Sequence, residues 1–591
     1  MSRICRTRQR SIMAQNNVRK PGVFSCVFVI IALVVQESQA ANVAMMYDLA
    51  QSHWARFVVL GDALASRGHN VTVVAPEDIL SWIHRGVRDP FNYLTFPEAG
   101  TRTYVEDYIG KAWTRILEQR YMYQQTWSHV ASYRQAAWRC QSLLSQGDVL
   151  DKLRQADIIL GERLTPCAAV ASTAVGVPLA LLSVPMPASW LGSGVPAPTC
   201  CFPVPFSGLG RVRTFRDRVQ NLAGYVATMV FGRAITAFYF DHLAKKYIGA
   251  DATFVTALAD TDLWLLTEHP GLDPVRPHMP NMVNIGGFMA TPAKPLPQDL
   301  EDFMQGSDHG VIIFGLGTFV KGVPAELAEV FASAFAQLPQ RVVWRYDEKE
   351  PPRGLGKNTK VMKWMPQNDL LGHPKTRLFM NHGGLNGLHE AVYHGVPMVI
   401  LPLTVEHQAY ADVMVSKGTA VTLDIRALTP EDVVSAIQEV IGNSSYLCLG
   451  ESRTCSSNQR RPPYSSVPDV ITSPAREFDM DFELNSYKES AERLAKLFHD
   501  QPQPPLERAV WWIEHVIRHG GLPHLRTAMN DVPFYQYFHL DVLVVFVAIV
   551  TALWLPFTRI FIMKYCWQRM AVGVGISILV ISIPIMFLDG L

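Results

Sequence analysis

The sequence predicts an α/β protein: two parallel-sheet domains facing each other across a cleft, with a C-terminal transmembrane helix. Three observations carry that reading. The chain has 591 residues, too many for a single hydrophobic core. Strand–helix–strand patterns broken by glycine recur in two separate blocks, as parallel βαβ units require. Hydrophobic residues make up 49% of the chain against 18% charged, and both ends carry long apolar runs. The formal net charge of +1 lacks the basic excess of a nucleic-acid binder.

At the N-terminus, Arg3, Arg6, Arg8, Arg10, Arg19 and Lys20 precede an uncharged run from Val23 to Val35, and Gln39-Ala40-Ala41 follows. A basic region, a short apolar stretch and a small-residue exit read as a cleavable signal peptide over 1–40. Asn42 to Tyr47 then reads as a buried strand, Trp54 to Ser66 as a helix stopped at Gly68, and Val71 to Ala75 as a second strand. The pattern returns at Ala156 to Leu160, Cys167 to Val175 and Val177 to Val184, so 41–287 forms the first Rossmann-like domain. Within it, Asn221 to Phe240 is apolar and aromatic but interrupted by Arg233. A buried helix or pocket wall is the expectation there, in preference to a membrane-dipping segment.

Gly286-Gly287 and the proline-spaced stretch Thr291 to Pro297 form a linker. The second domain, over 288–445, opens with the strand Gly310 to Phe314. Its strands include Arg341 to Tyr346, Arg377 to Asn381 and Pro397 to Leu401, and its helices Ala325 to Gln337. From 446 to 483 the texture turns to Ser, Pro, Arg and Cys, and the flanks Asn443-Ser444-Ser445-Tyr446 and Asn485-Ser486-Tyr487 nearly repeat each other. That segment reads as a disordered insertion or a retained intron. Its Asp479-Met480-Asp481 has the form of a metal-binding Asp-x-Asp, but chance is the better account in such a stretch. Helix resumes at Lys488 to Phe498 and Glu507 to Arg518, so 484–520 completes the second domain with return helices.

A juxtamembrane segment, 521–540, carries Tyr535, Tyr537 and Phe538, and a transmembrane helix over 541–558 follows. Arg559, Lys564 and Arg569 open a basic cytosolic segment, 559–591, which gives a type I topology. Ala571 to Leu588 is long enough to span again, and both readings of it stay open. Of nine cysteines, Cys140, Cys167, Cys200, Cys201, Cys448 and Cys455 lie between signal and anchor. Their spacing matches neither a zinc site nor a disulfide scaffold, and no pairing is readable. Glycosylation triplets stand at Asn70-Val71-Thr72 and Asn443-Ser444-Ser445.

The chemistry concentrates in one run: Trp364-Met365-Pro366-Gln367, then Asn381-His382-Gly383-Gly384-Leu385-Asn386-Gly387-Leu388-His389-Glu390, then Glu406-His407. A strand delivers His382 and two glycines to the start of a helix. Glycines let the backbone approach a ligand, and the helix start offers free N–H groups and a positive dipole end, an apt seat for a diphosphate. His382, Asn386 and Glu390 are spaced by four and share one helix face. His382 and Asn386 can donate to phosphate oxygens, Glu390 can accept ribose hydroxyls, and Trp364 offers a flat face to a uracil.

This run resembles the signature of the UDP-glycosyltransferase family, which includes the animal UDP-glucuronosyltransferases. The resemblance covers nearly the whole chain, from signal peptide through twin domains of the GT-B type to the C-terminal anchor. Within the family the chain looks most similar to the ceramide galactosyltransferase (2-hydroxyacylsphingosine 1-beta-galactosyltransferase) branch, through Trp364 to Leu371, His394-Gly395-Val396-Pro397, His524-Leu525-Arg526 and Gln536-Tyr537-Phe538. It implies that Trp364 and Gln367 hold uracil and ribose, that His382, Asn386 and Thr318 hold the diphosphate, and that Glu390 holds the ribose. The acidic-then-amide pair that grips the sugar is replaced here by Glu406-His407, which resembles galactose-using members. The family's base is matched by His53 and its orienting aspartate by Glu162, one methylene longer.

The resemblance therefore implies a membrane-bound hexosyltransferase of the endoplasmic reticulum, its catalytic domains lumenal. It would move a sugar, with galactose favoured over glucose or glucuronate, from a UDP-sugar to a lipophilic hydroxyl acceptor such as ceramide. His53 takes the acceptor's proton, Glu162 steadies the imidazolium, and one displacement inverts the anomeric carbon. The UDP-sugar is a co-substrate; neither a resident cofactor nor a metal is expected. A homo-oligomer stays open. A nicotinamide dehydrogenase is disfavoured, because no Gly-x-Gly-x-x-Gly follows the first strand. The rival of another class is a catalytically silent UDP-sugar-binding membrane protein, motivated by Glu162, Glu406 and the insertion.

Overall fold

The computed structural model describes residues 40–47, 51–83, 90–97, 123–163, 166–183, 198–200, 202, 204, 209, 212, 214–273, 277–318, 320, 322–348, 350–442, 486–527, 532–537 and 539–588. The expected signal peptide and the insertion at 446–483 lie outside these residues.

Alternating apolar strands and glycine-stopped helices produce two parallel sheets. In the first domain, β1 (Asn42–Met46), β2 (Asn70–Pro76), β3 (Asn92–Phe96), β4 (Ile158–Glu162), β5 (Leu179–Ser183), β6 (Leu263–Leu266) and β7 (Met282–Asn284) lie in the order β3-β2-β1-β4-β5-β6-β7. In the second, β8 (Val311–Gly315), β9 (Arg341–Arg345), β10 (Thr359–Met362), β11 (Thr376–Asn381), β12 (Met398–Ile400) and β13 (Ala420–Thr422) lie in the order β10-β9-β8-β11-β12-β13. β4, β5 and β8 are buried at every residue, which is why they read as unbroken apolar runs. At the edge where β1 to β3 begin, Asn70 accepts from Asn92 (2.6 Å) and donates to Asn42 (2.9 Å), tying three strand starts in register.

The helices used below are α1 (Gln51–Ser66), α2 (Tyr123–Ser145), α3 (Cys167–Val175), α4 (Phe215–Thr236), α5 (Leu385–Tyr393), α6 (Val405–Ser416), α7 (Tyr487–His499), α8 (Pro505–His519) and α9 (Leu540–Leu588). Cys140 on α2 and Cys167 at the start of α3 form a disulfide inside the first core. The sequence groups 484–520 with the second domain, and the structure divides that stretch. α7 places Leu494 and Phe498 in the second core, whereas α8 puts Ala509, Val510, Ile513 and Val516 in the first.

Of the two forms expected for the apolar stretch 221–240, a buried helix or a pocket wall, the structure rules out the first: Val219, Leu222, Val226 and Val230 on α4 are each more than half exposed, and Phe231 is 66% exposed. The helix instead buries its polar side. Asn221 accepts from the Val204 amide (2.7 Å) and donates to the carbonyls of Thr199 (2.8 Å) and Phe202 (2.6 Å). With those amide bonds directed inward, helical spacing turns the valines and leucines outward. By length and composition, both Phe215–Tyr247 and Leu540–Ser577 could cross a membrane. α9 continues as one 49-residue helix, so the apolar runs 542–557 and 571–588 are collinear in it.

Candidate active site

In each sheet the strand order reverses direction at one place, where α/β folds bind ligands at the carboxyl ends of the strands. In the first sheet that place lies between β1 and β4. His53 stands in the first turn of α1, just beyond β1, and Glu162 ends β4. The Glu162 carboxylate contacts His53 Nδ1, and both are sheltered, at 14% and 2% exposure. The longer glutamate side chain thus reaches the imidazole. Its bond to Nδ1 fixes that nitrogen as the one bearing a proton, leaving Nε2 as the basic end. Sequence reading starts this helix at Trp54 and leaves His53 in a loop; the structure begins it at Gln51.

In the second sheet the reversal lies between β8 and β11, whose ends pair Gly315 with Asn381. The loop after β8 carries Gly317 and the half-buried Thr318, and the loop after β11 carries His382, Gly383 and Gly384. Gly317 (φ +80°) and Gly383 (φ +85°) adopt a backbone that side chains disfavour, and a Cβ at Gly317 would sit 2.5 Å from the His382 ring. Asn381 Oδ1 accepts from the Gly383 amide at 2.7 Å and shapes the turn. Gly384 then caps α5 with no side-chain hydrogen bond, so the first N–H groups of that helix remain for a ligand.

Around this helix start the predicted donor residues form pairs. His382 and His407, the latter in the first turn of α6, meet edge to face with centroids 4.8 Å apart. Burial pushes the His382 imidazole down to about 4, helped by the Arg345 charge, and holds His407 well below its ordinary value. Both rings are neutral at pH 7, each with one N–H to donate. Gln367 donates to Glu390 Oε2 at 2.6 Å, and burial raises the Glu390 carboxyl to about 7. Glu406 is likewise raised by burial, against the opposing pull of Arg56 and His53. Trp364 stands apart at the rim, 61% exposed, with the Arg345 guanidinium 5.0 Å from its ring centroid.

Two arginines join this site that sequence reading did not single out. Arg345 ends β9, and its Nη1 donates 2.8 Å to the Gly317 carbonyl, tying the glycine turn to the rim tryptophan. Its place at a strand's carboxyl end was the available signal. Arg56, on α1 and 5% exposed, crosses the cleft: its Nε and Nη2 donate to Asn386 Oδ1 on α5 at 3.2 and 3.1 Å. Three residues after His53 it shares that residue's helix face, a signal visible only once the helix is begun before Trp54. Among the described residues, no group of three or more His, Cys, Asp or Glu is placed to hold a metal ion.

Comparison with known proteins bears on the family and the fold. The family described as "UDP-glucoronosyl and UDP-glucosyl transferase" matches residues 42–448 and 481–575. UDP-glucuronosyltransferase 2B15 of Rattus norvegicus is 33% identical over 515 residues, covering 84% of this chain and 88% of its own. UDP-glucuronosyltransferase 2B15 of Homo sapiens is 30% identical over 568 residues, covering 93% and 98%. Among solved structures, the calicheamicin glycosyltransferase CalG4 superposes with a TM-score of 0.52 at 15% identity, over 81% of this chain and 99% of that one. The kitacinnamycin glycotransferase gives 0.51 at 18% identity, over 80% and 98%. These last two likenesses bear on the fold alone, two parallel-sheet domains of the GT-B type.

Proposed function

This chain belongs to the UDP-glucuronosyl and UDP-glucosyl transferase family and is a glycosyltransferase, and from that premise we propose that it transfers a hexose from a UDP-sugar to the hydroxyl of a lipophilic acceptor in one inverting displacement. The observation that carries this reading is the opposition across the cleft. A glutamate-backed histidine stands on one wall, an uncapped helix start flanked by His382 on the other, and the Arg56–Asn386 contact joins them.

His53 Nε2 takes the proton as the acceptor oxygen attacks the anomeric carbon, and Glu162 steadies the imidazolium. The bond from that carbon to the diphosphate oxygen breaks, and UDP leaves with the electron pair. Charge on the leaving diphosphate meets the α5 N–H groups, the His382 N–H and Asn386. Gln367 and Glu390 hold the ribose, Trp364 stacks on the uracil, and Thr318 assists at the phosphates. Attack from the opposite face converts an α-linked donor into a β-glycoside.

Glu406 and His407 face the sugar in this reading, and His407 favours galactose, with a ceramide-like lipid as acceptor. A second reading, glucuronate, is favoured by the names of the relatives, UDP-glucuronosyltransferases at 30–33% identity. The apolar α9 suits a membrane anchor, and the Cys140–Cys167 disulfide suits an oxidising compartment such as the endoplasmic reticulum lumen. Full-length protein in lipid nanodiscs should be incubated with UDP-galactose, UDP-glucose and UDP-glucuronate in parallel, with ceramide and a simple phenol as acceptors. Formation of a β-glycoside is the expected result. UDP binding without turnover on any pair would replace transfer with a silent binding role.

A further inference from the structure

We infer that Arg56, supplied by the acceptor-side domain, is a ligand for the anionic part of the donor and closes the donor site from the opposite wall. The inference rests on the UDP-sugar reading above and adds a residue to it. Arg56 is nearly fully buried, and a guanidinium removed from water needs its donors met. Its Nε and Nη2 converge on one acceptor, Asn386 Oδ1. Its Nη1 is buried and has no hydrogen-bond partner among the described residues. Glu162 on the first domain and Glu406 on the second both attract it through space.

The contact also orients Asn386. With Oδ1 accepting twice from Arg56, the amide presents its NH2 end to anything else in the cleft. A donor end on Asn386, an unfilled N–H pair on Arg56 and the open α5 start all call for the same partner, an oxyanion. A UDP-sugar carries such oxygens on its diphosphate, and a uronic acid donor carries more on its carboxylate. The guanidinium reads either, and it can do so only when the two domains face each other.

Binding separates these sources without relying on turnover. Uridine, UDP, UDP-glucose and UDP-glucuronate are titrated calorimetrically into full-length wild type, Arg56→Gln and Arg56→Lys in nanodiscs, with melting curves to check folding. A diphosphate contact predicts that Arg56→Gln weakens UDP and both UDP-sugars about 10- to 100-fold while leaving uridine within about twofold. A carboxylate contact predicts that loss for UDP-glucuronate alone. Arg56→Lys, which keeps the charge without the fork, should fall between, and it carries the test if Arg56→Gln melts early. Either pattern supports the assignment. Equal loss for uridine and UDP, or no loss for any ligand, overturns it and leaves the donor reading standing. A wild type that binds no uridine nucleotide overturns both.

Discussion

The side chains of Gln367 and Glu390 meet at 2.6 Å, joining a helix start beside the exposed Trp364 to the second turn of α5. Because burial lifts Glu390 to about 7, its ionisation falls within the working range of pH. The unfolded chain gives up this proton near 4.5 and the folded one near 7. Ionisation therefore destabilises the empty fold as pH rises through that window, and a ligand that hydrogen-bonds the carboxylate recovers the loss.

UDP-sugar affinity should accordingly strengthen several-fold between pH 6 and pH 8, with the half-point near 7. A UDP-sugar suits the measurement because its diphosphate has no proton to lose in that range. Glu390→Gln should flatten the profile at the weak end. A profile equally steep in the variant would assign the titration elsewhere.

His53→Ala should lower kcat by about 10²- to 10⁴-fold, the usual worth of a positioned base, with the UDP-sugar dissociation constant nearly unchanged. Glu162→Gln retains an acceptor for Nδ1–H but removes the charge that steadies the imidazolium. It should cost kcat at least about tenfold and leave donor binding alone. Activity of the alanine variant within about tenfold of wild type would remove His53 from the role of base.

His407→Gln should move the ratio of kcat/KM values from UDP-galactose toward UDP-glucose. A neutral imidazole offers one donor at short reach, whereas an amide offers a longer arm with both donor and acceptor. A mismatched hydroxyl leaves a buried polar group unpaired, which makes one side chain discriminating. An unchanged ratio, or a wild type that already prefers UDP-glucuronate, removes the galactose assignment.

Removing residues 446–483 should leave expression and transfer within about twofold of wild type. The family match breaks between 448 and 481, where the sequence reading places the insertion. The helices on either side, Pro430–Gly442 and α7, already touch: Tyr487 donates its hydroxyl to Glu439 Oε1 at 2.6 Å. A clean deletion that aggregates on size-exclusion chromatography would make the segment part of the fold.

Much of this arrangement was readable from residue order. Strand–helix–strand patterning places strands at Ala156 to Leu160 and Gly310 to Phe314, close to β4 and β8, and His382-Gly383-Gly384 reads as the turn into a helix, where the structure starts α5. Arg56 was hidden because its meaning depends on Asn386, 330 positions away, and on a helix that starts at Gln51 and not at Trp54. The Cys140–Cys167 bond depends on how α2 packs on α3, which periodicity does not report. On α4, hydropathy registered the apolar residues, but the buried bonds of Asn221 decided which side faced inward.

The division of the return helices decides which lobe holds the chain that leads to α9. α8 packs into the first core, and just beyond it Arg526 pairs with Asp262 (2.8 Å) and Asp260 (3.2 Å) of the same domain, before the chain runs on to α9. The stretch of chain that leads toward the apolar helix therefore holds to the lobe that carries His53 and Glu162, whereas α7 holds to the lobe that carries His382 and Asn386.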